Sequence, residues 1–332
     1  MRLRRRGVPF RHVVPVGRDL SDANLAFEAR VAAEQHHYGT DPSAPVPDIF
    51  VIGAQRAGTT NFCADLGTHP DIVVPYIKEP WVLVRSLGRV DVAQSMYRGL
   101  YGETRRENHL LLDGSTSHSM LPQHPSVAGL AAKLAPRATI LYVVRNPVHR
   151  AISQFRLHVA WGGATYDDLA SAVKDDTTFI DYGRYWWQLQ PWLAAFGADS
   201  IRIIPFEEYT AERHRVVSDV VTSLKLDPSL LAINEGVVLN QSSDARVVPS
   251  AWRSVLLSDA YQLRVRHRIP DAWRERLSNR VLPRTTERPA APSRDAVERI
   301  IEGSRQDAEA LDSFLRRSGP LWDLDATLRQ FT

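Results

Sequence analysis

Asp48-Ile-Phe-Val-Ile-Gly-Ala-Gln-Arg-Ala-Gly-Thr-Thr60 sets a short apolar run directly ahead of two glycines and two hydroxyl residues. Ile49–Ile52 has the composition of a buried strand, and a helix is expected from Thr60 to about Gly67. In such a strand–loop–helix the glycines let backbone amides turn inward. The positive end of the helix points at the same spot. Gly53, Gln55, Arg56, Ala57, Gly58, Thr59, Thr60 and Asn61 are therefore candidate ligands for an anion. The pattern is close to a Walker A loop, but Thr59 stands where a nucleotide kinase has its lysine. The cation of this loop is Arg56, three residues earlier, from where it reaches past a phosphate. A glycine turn with no ligand has the same local signature.

Toward the C-terminus, Ile72–Val74 is a second short extended piece, and Ala138–Val144 is a continuous run suited to a central parallel strand. Helices are expected from Arg150 onward, over the aromatic-rich Tyr182–Phe196, and over 211–225 and 294–317, with a buried strand at Ile201–Ile204. Strands alternating with helices predict an α/β fold, a P-loop-like central parallel sheet flanked by helices. The strand ends read as Gly53, Arg145 and Pro205, so no Walker B aspartate is expected. Upstream, 18–38 reads as a helix and Asp41–Pro47 as a breaker, giving an N-terminal extension and linker over 1–47. The main domain runs over 48–325, with an exposed loop at Pro283–Pro292.

Composition narrows the class. Hydrophobic residues make up 44% and charged residues 24%, ordinary for a soluble globular protein. A net charge of +3 does not suggest a nucleic-acid coat, and it suits a cleft that collects anionic ligands. Cys63 is the single cysteine, so neither a disulfide framework nor a cysteine metal site is expected. The Arg2–Arg6 cluster is followed by no apolar core of a signal peptide, and no stretch approaches the roughly 18 apolar residues of a membrane span. A cytoplasmic protein with no stable membrane insertion and no nucleic-acid partner is expected.

Val143-Val-Arg-Asn-Pro-Val-His-Arg-Ala-Ile-Ser153 is a second strand-end–turn–helix. Pro147 suits the first helical turn. Arg145 lies at the carboxyl end of a strand, where parallel sheets bind ligands. Ser153 follows eight residues later, about two helical turns, so both can face one cleft. A guanidinium fork and a hydroxyl donor suit a phosphate. Two separated phosphate sites point to a nucleotide carrying a 3′- and a 5′-phosphate.

The pair of patterns resembles PAPS-dependent sulfotransferases, in particular bacterial enzymes similar to the sulfotransferase domains that act on heparan sulfate. The resemblance covers about 48–325. It implies that Gly53–Asn61 takes the 5′-phosphosulfate of PAPS and that Arg145 and Ser153 take the 3′-phosphate, leaving PAP as product. Asn146, Pro147 and Arg150 match the same second motif. By resemblance Glu79, in Tyr76-Ile-Lys-Glu-Pro-Trp81, is the general base, and Arg56 takes the position of the family's loop lysine as an electrostatic stabiliser. Lys78 matches too, whereas Trp81-Val-Leu replaces His-Phe-Phe. Asp113-Gly-Ser-Thr-Ser-His118 stands where the family has an acidic residue, a lysine and a small hydroxyl residue. Lys78, Trp81, His118 and Tyr185 are candidate acceptor-binding residues, although a structural histidine is the commoner fate of a residue like His118. Arg246 matches a loop that folds over the nucleotide, with Asp244 and Ala245 departing from it, and Leu315–Trp322 resembles the closing helix. The implied reaction moves a sulfuryl group from PAPS to a hydroxyl or amine of a small-molecule, glycan or lipid acceptor, without a metal. The rivals are a P-loop kinase or NTPase, and a PAP(S)-binding pseudoenzyme suggested by the departures at Trp81, Gly114 and Asp244.

Overall fold

A computed structural model describes residues 43–75, 79–102, 109–160, 166–234, 236 and 291–331. The expectations for 18–38, Arg2–Arg6, Lys78, Asp244–Arg246 and most of Pro283–Pro292 lie outside the described residues.

Five strands form one sheet: β1 (Ile49–Gly53), β2 (Ile72–Val73), β3 (Leu110–Asp113), β4 (Thr139–Val144) and β5 (Ile201–Pro205). Their order is β2-β3-β1-β4-β5, and every pairing is parallel. β1 is buried throughout because it has a neighbour on each side, Phe50 pairing with Asp113 and with Ile140. The chain fills the β2–β3 side of β1 first and then crosses to β4. The carboxyl ends of β1 and β4 therefore flank the point where winding reverses, the place where open parallel sheets bind ligands. The expected P-loop-like α/β architecture is the one observed.

The helices are α1 (Thr59–Leu66), α2 (Val82–Arg85), α3 (Val90–Tyr101), α4 (Val127–Leu134), α5 (Pro147–Ala160), α6 (Leu169–Asp175), α7 (Thr178–Asp181), α8 (Tyr185–Phe196), α9 (Phe206–Ala211), α10 (Arg213–Ser223), α11 (Arg294–Phe314) and α12 (Leu324–Leu328). α8 packs on α4 and α11, with Trp192 against Phe50 and His118. Phe62 of α1 meets Tyr209 of α9 edge to face at 5.4 Å. Asp307 of α11 accepts from the Trp186 and Trp187 amides at 2.8 Å each and so caps α8 from a distant helix. Trp192 is buried in the core, while Trp186 and Trp187 are partly exposed.

Several sequence expectations need correction. β3 was not anticipated, and it ends in an aspartate, Asp113. β5 is an edge strand in which only Ile204 is buried, because nothing pairs with its outer side among the described residues. The aromatic helix begins at Tyr185, after a break at Tyr182–Arg184, and the 211–225 helix is two helices parted at Glu212. Leu315–Trp322 is not a helix. α11 ends at Phe314, Arg316 takes a positive φ of 53°, and Ser318-Gly-Pro320 cannot propagate helical hydrogen bonds.

Among the described residues, 43–154, 169–234, 236 and 292–331 belong to one compact unit, which holds the whole sheet.

Candidate active site

Gly53 and Gly58 are glycines for steric reasons. Gly53 has φ 148°, and a Cβ there would lie 2.1 Å from Ser119 Oγ. Gly58 has φ 80°, and a Cβ would lie 2.6 Å from the Phe206 ring. The Ala54 amide donates to the Val143 carbonyl at 2.6 Å, which ties the loop to β4. Ala57 is fully buried and its amide donates to Ala54 O at 3.1 Å, so this residue braces the loop from within instead of facing a ligand. α1 then begins with Gly58 as N-cap and no side-chain cap, so its positive end opens on the loop. Gln55, Arg56 and Thr60 are partly exposed along that opening.

The residues of the second motif divide between the helix cap, the core and the side facing the glycine loop. Asn146 caps α5: its Oδ1 accepts from the Val148 and His149 amides at 3.0 and 3.3 Å. Its Nδ2 donates to Thr327 Oγ1 at 2.9 Å, and its amide donates to Glu207 Oε1 at 2.9 Å. Pro147 is the first helical residue, as expected. Arg150 is fully buried, donates through Nη1 to Gln154 Oε1 at 2.6 Å and through Nη2 to the Phe179 carbonyl, and is pushed below its ordinary pKa by burial. Arg145 and Ser153 remain for the cleft. The Arg145 guanidinium lies 4.6 Å over the Phe206 ring and donates to the Arg56 carbonyl at 3.0 Å. Arg56 Nε donates to Ser153 Oγ at 3.0 Å. The two stretches that the sequence suggested as anion sites thus touch each other.

Glu79 reaches the same wall. Burial lowers the Arg56 pKa, Arg145 lowers it further, Glu79 raises it, and Arg150 lowers it again. A carboxylate and two more guanidiniums therefore act on one guanidinium. Glu79 Oε2 accepts from Thr116 Oγ1 at 3.1 Å. Ser115 Oγ accepts from the Trp81 amide at 3.1 Å and donates to Asp113 Oδ1 at 2.6 Å. Asp113 Oδ2 takes the Tyr97 hydroxyl at 2.8 Å. The aspartate that ends β3 is thus buried and engaged by protein donors, and it holds the turn that positions Glu79 and Trp81.

Two acceptor-side candidates are placed elsewhere. His118 is buried between Phe50 and Trp192, with Nε2 3.8 Å from Asp113 Oδ2, and burial holds its pKa below the usual value. It is a core residue, because the 116–119 turn points it inward. Tyr185 is 1% exposed and clamps the Arg145 backbone: its hydroxyl donates to the Arg145 carbonyl at 2.6 Å and accepts from the Arg145 amide at 3.3 Å. It supports the second anion site from beneath and does not line the cleft. Trp81 is partly exposed, with its ring edge to face with His124 at 5.9 Å.

Sequence reasoning missed Phe206, Glu207, Thr116 and His124. A residue pair directly after a strand, Phe206-Glu207 behind β5, was the available signal for the first two. Thr116 was visible only as a matching hydroxyl.

A sequence model of the Sulfotransferase family matches residues 84–229, which include Arg145–Ser153. The match to that family's model is confined to this stretch of the chain. It is 23% identical over 203 residues to a bifunctional heparan sulfate N-deacetylase/N-sulfotransferase 1 of Caenorhabditis briggsae, covering 54% of this chain and 23% of that protein. It is 25% identical over 191 residues to the heparan sulfate glucosamine 3-O-sulfotransferase 3A1 of Mus musculus, covering 55% of this chain and 45% of that protein. The chain therefore matches less than half the length of these curated relatives. The solved sulfotransferase of Alicyclobacillus acidocaldarius shares the fold, with a TM-score of 0.56 at 17% identity, over 86% of this chain and 99% of that one. Among the described residues no helix is long and apolar enough to cross a membrane.

Proposed function

We propose that this protein transfers a sulfuryl group from PAPS to a hydroxyl or amine, with Glu79 as general base. The observation that carries the reading is the Arg56–Ser153 hydrogen bond at 3.0 Å, reinforced by Arg145 on the Arg56 carbonyl. It joins a glycine loop at the end of β1 to an Arg–Ser pair at the end of β4, at the reversal point of the sheet. A ligand with phosphates at both ends fits such a pair of sites better than a triphosphate does. The loop lacks the lysine that a nucleoside-triphosphate kinase requires.

In this reading the amides at the start of α1 and the Thr60 hydroxyl hold the 5′-phosphosulfate, and Arg145 and Ser153 hold the 3′-phosphate. Glu79 takes the proton from the acceptor as its oxygen or nitrogen forms the new bond to sulfur. The bond between sulfur and the bridging oxygen breaks, and PAP departs carrying that oxygen. Arg56 balances the negative charge that develops there, by position and not by proton donation, because a guanidinium does not release its proton readily. Thr116 holds the carboxylate of Glu79 in place. Lys78 and Arg246 remain proposals on resemblance alone. The glycan names of the relatives make a carbohydrate acceptor one candidate beside lipids and small molecules.

Glu79→Gln tests the assignment. Expected is a fall in kcat of about 10²–10⁴-fold with PAP affinity by calorimetry within twofold of wild type. Unaltered kcat removes Glu79 from the base role. Failure of PAP to bind the wild-type chain removes the donor assignment as well.

A further inference from the structure

The peptide unit that joins Arg145 to Asn146 is held at both ends by side chains from other elements. Its carbonyl accepts from the Tyr185 hydroxyl of α8 at 2.6 Å, and its N–H donates to Glu207 Oε1 of α9 at 2.9 Å. Trp322 ties the two holders together. Its ring lies against Tyr185 with centroids 5.5 Å apart, and its Nε1 donates to Glu207 Oε2 at 3.0 Å. The Phe206 ring, one residue before Glu207, lies 4.6 Å from the Arg145 guanidinium carbon.

The register of the sheet brings these groups together. β5 pairs with β4 so that Pro205 stands beside Val144, and Phe206 and Glu207 follow at once as the start of α9. Glu207 thus meets the N-terminus of α5 at its cap residue, Asn146, where the helix dipole favours a carboxylate. A charged acceptor also makes shorter and stronger hydrogen bonds than a neutral one. Arg145 carries its guanidinium at the end of a long side chain, and a binding group needs its supports fixed to within about 0.5 Å. Tyr185 and Glu207 fix the backbone from which that side chain starts, and Phe206 supports its far end.

We propose that Glu207 is a positioning residue for recognition of the donor's 3′-phosphate, acting through the peptide unit between Arg145 and Asn146. This rests on the reading of Arg145 as a ligand of that phosphate.

The test measures, by calorimetry on the full chain, the affinities for PAP and for adenosine 5′-phosphate, which lacks the 3′-phosphate. Their ratio isolates the group assigned to Arg145. In Glu207→Ala the ratio is expected to fall about fivefold, with affinity for adenosine 5′-phosphate within about twofold of wild type. In Glu207→Gln, whose side-chain oxygen still accepts from the Asn146 amide, the ratio is expected to fall by less. In an Arg145→Ala background, Glu207→Ala is expected to lower the ratio no further, since the two residues act as one unit. A lower unfolding midpoint with an unchanged ratio assigns Glu207 to packing and overturns the proposal. An equal fall in the Arg145→Ala background overturns it too, because Glu207 then acts independently of Arg145. A wild type that does not prefer PAP removes the 3′-phosphate site itself, and the proposal with it. Should Glu207→Ala not fold, Trp322→Phe, which keeps a ring on Tyr185 and removes the indole N–H, is read in the same way.

Discussion

The Arg56 side chain leans on Ser153 through Nε at 3.0 Å while its carbonyl receives Arg145. Its φ of 68° is unusual for a branched-at-nothing but Cβ-bearing residue, so the loop holds it in a conformation that has to be supported from outside. Ser153 is 5% exposed and supplies part of that support. Ser153→Ala is expected to weaken PAP binding about fivefold, the worth of one hydrogen bond of about 1 kcal/mol. It should also lower kcat at saturating donor, because Arg56 loses its orienting partner. Calorimetry with PAP and single-turnover kinetics separate the two effects, and a loss confined to binding removes the orienting role. Arg56, Arg145 and Ser153 were legible in the sequence because each lies at a fixed offset from a glycine, a strand end or a proline. Thr116 was not, since its partner Glu79 lies 37 positions away and no local pattern links them.

Elements position these residues through a few buried polar ties. Asp65 of α1 accepts from Arg213 Nε and Nη2 at 2.6 Å each and from the Tyr209 hydroxyl at 2.5 Å. The pair is 4% and 14% exposed at the side chains, so the ions are largely out of water. The tie fixes α1 to α9 and α10. Asp65→Ala is expected to destabilise the fold by about 3–5 kcal/mol, since it strands a guanidinium and a phenol. Urea unfolding checks this, and a loss below about 1 kcal/mol means that the pair is solvated in solution. The elements differed in how readily the sequence announced them. β1 and β4 are long, apolar and partly β-branched, whereas β3 is a run of three leucines and an aspartate with no alternation to mark it. β5 reads as buried by composition but has a partner only on the β4 side. Composition reports the residue, and the sheet order decides how many neighbours it receives.

Across the whole molecule, acid is expected to act through buried imidazoles. Burial first and His118 second bring the His124 pKa down to about 4, and burial also depresses His118. A folded-state pKa below the unfolded value of about 6.5 means that the unfolded chain binds the proton more readily. The contribution to stability is therefore complete above about pH 6.5 and is lost as pH falls toward about 4. For His124 alone it amounts to about 3 kcal/mol at most. Asp307 works in the opposite sense, since burial raises its pKa and favours the protonated form in the folded chain. His124→Phe keeps a ring against Trp81 and is expected to flatten the acid limb of the stability curve between pH 6.5 and 4. An acid limb identical to that of the wild type removes His124 from this role.

The sequence by itself determined the strand–loop–helix around Gly53–Thr60, the turn at Arg145–Pro147 and the parallel α/β class. These depend on properties of adjacent residues: glycine backbone freedom, apolar strand composition and helix capping. Only the tertiary structure decided that β1 lies beside β4, so that the two loops make one cleft. It also turned His118 and Tyr185 into supports and made Asn146 and Arg150 structural. Those outcomes draw on contacts between distant segments, such as Asn146 with Thr327 across 181 positions, which burial and packing select and no local spacing encodes.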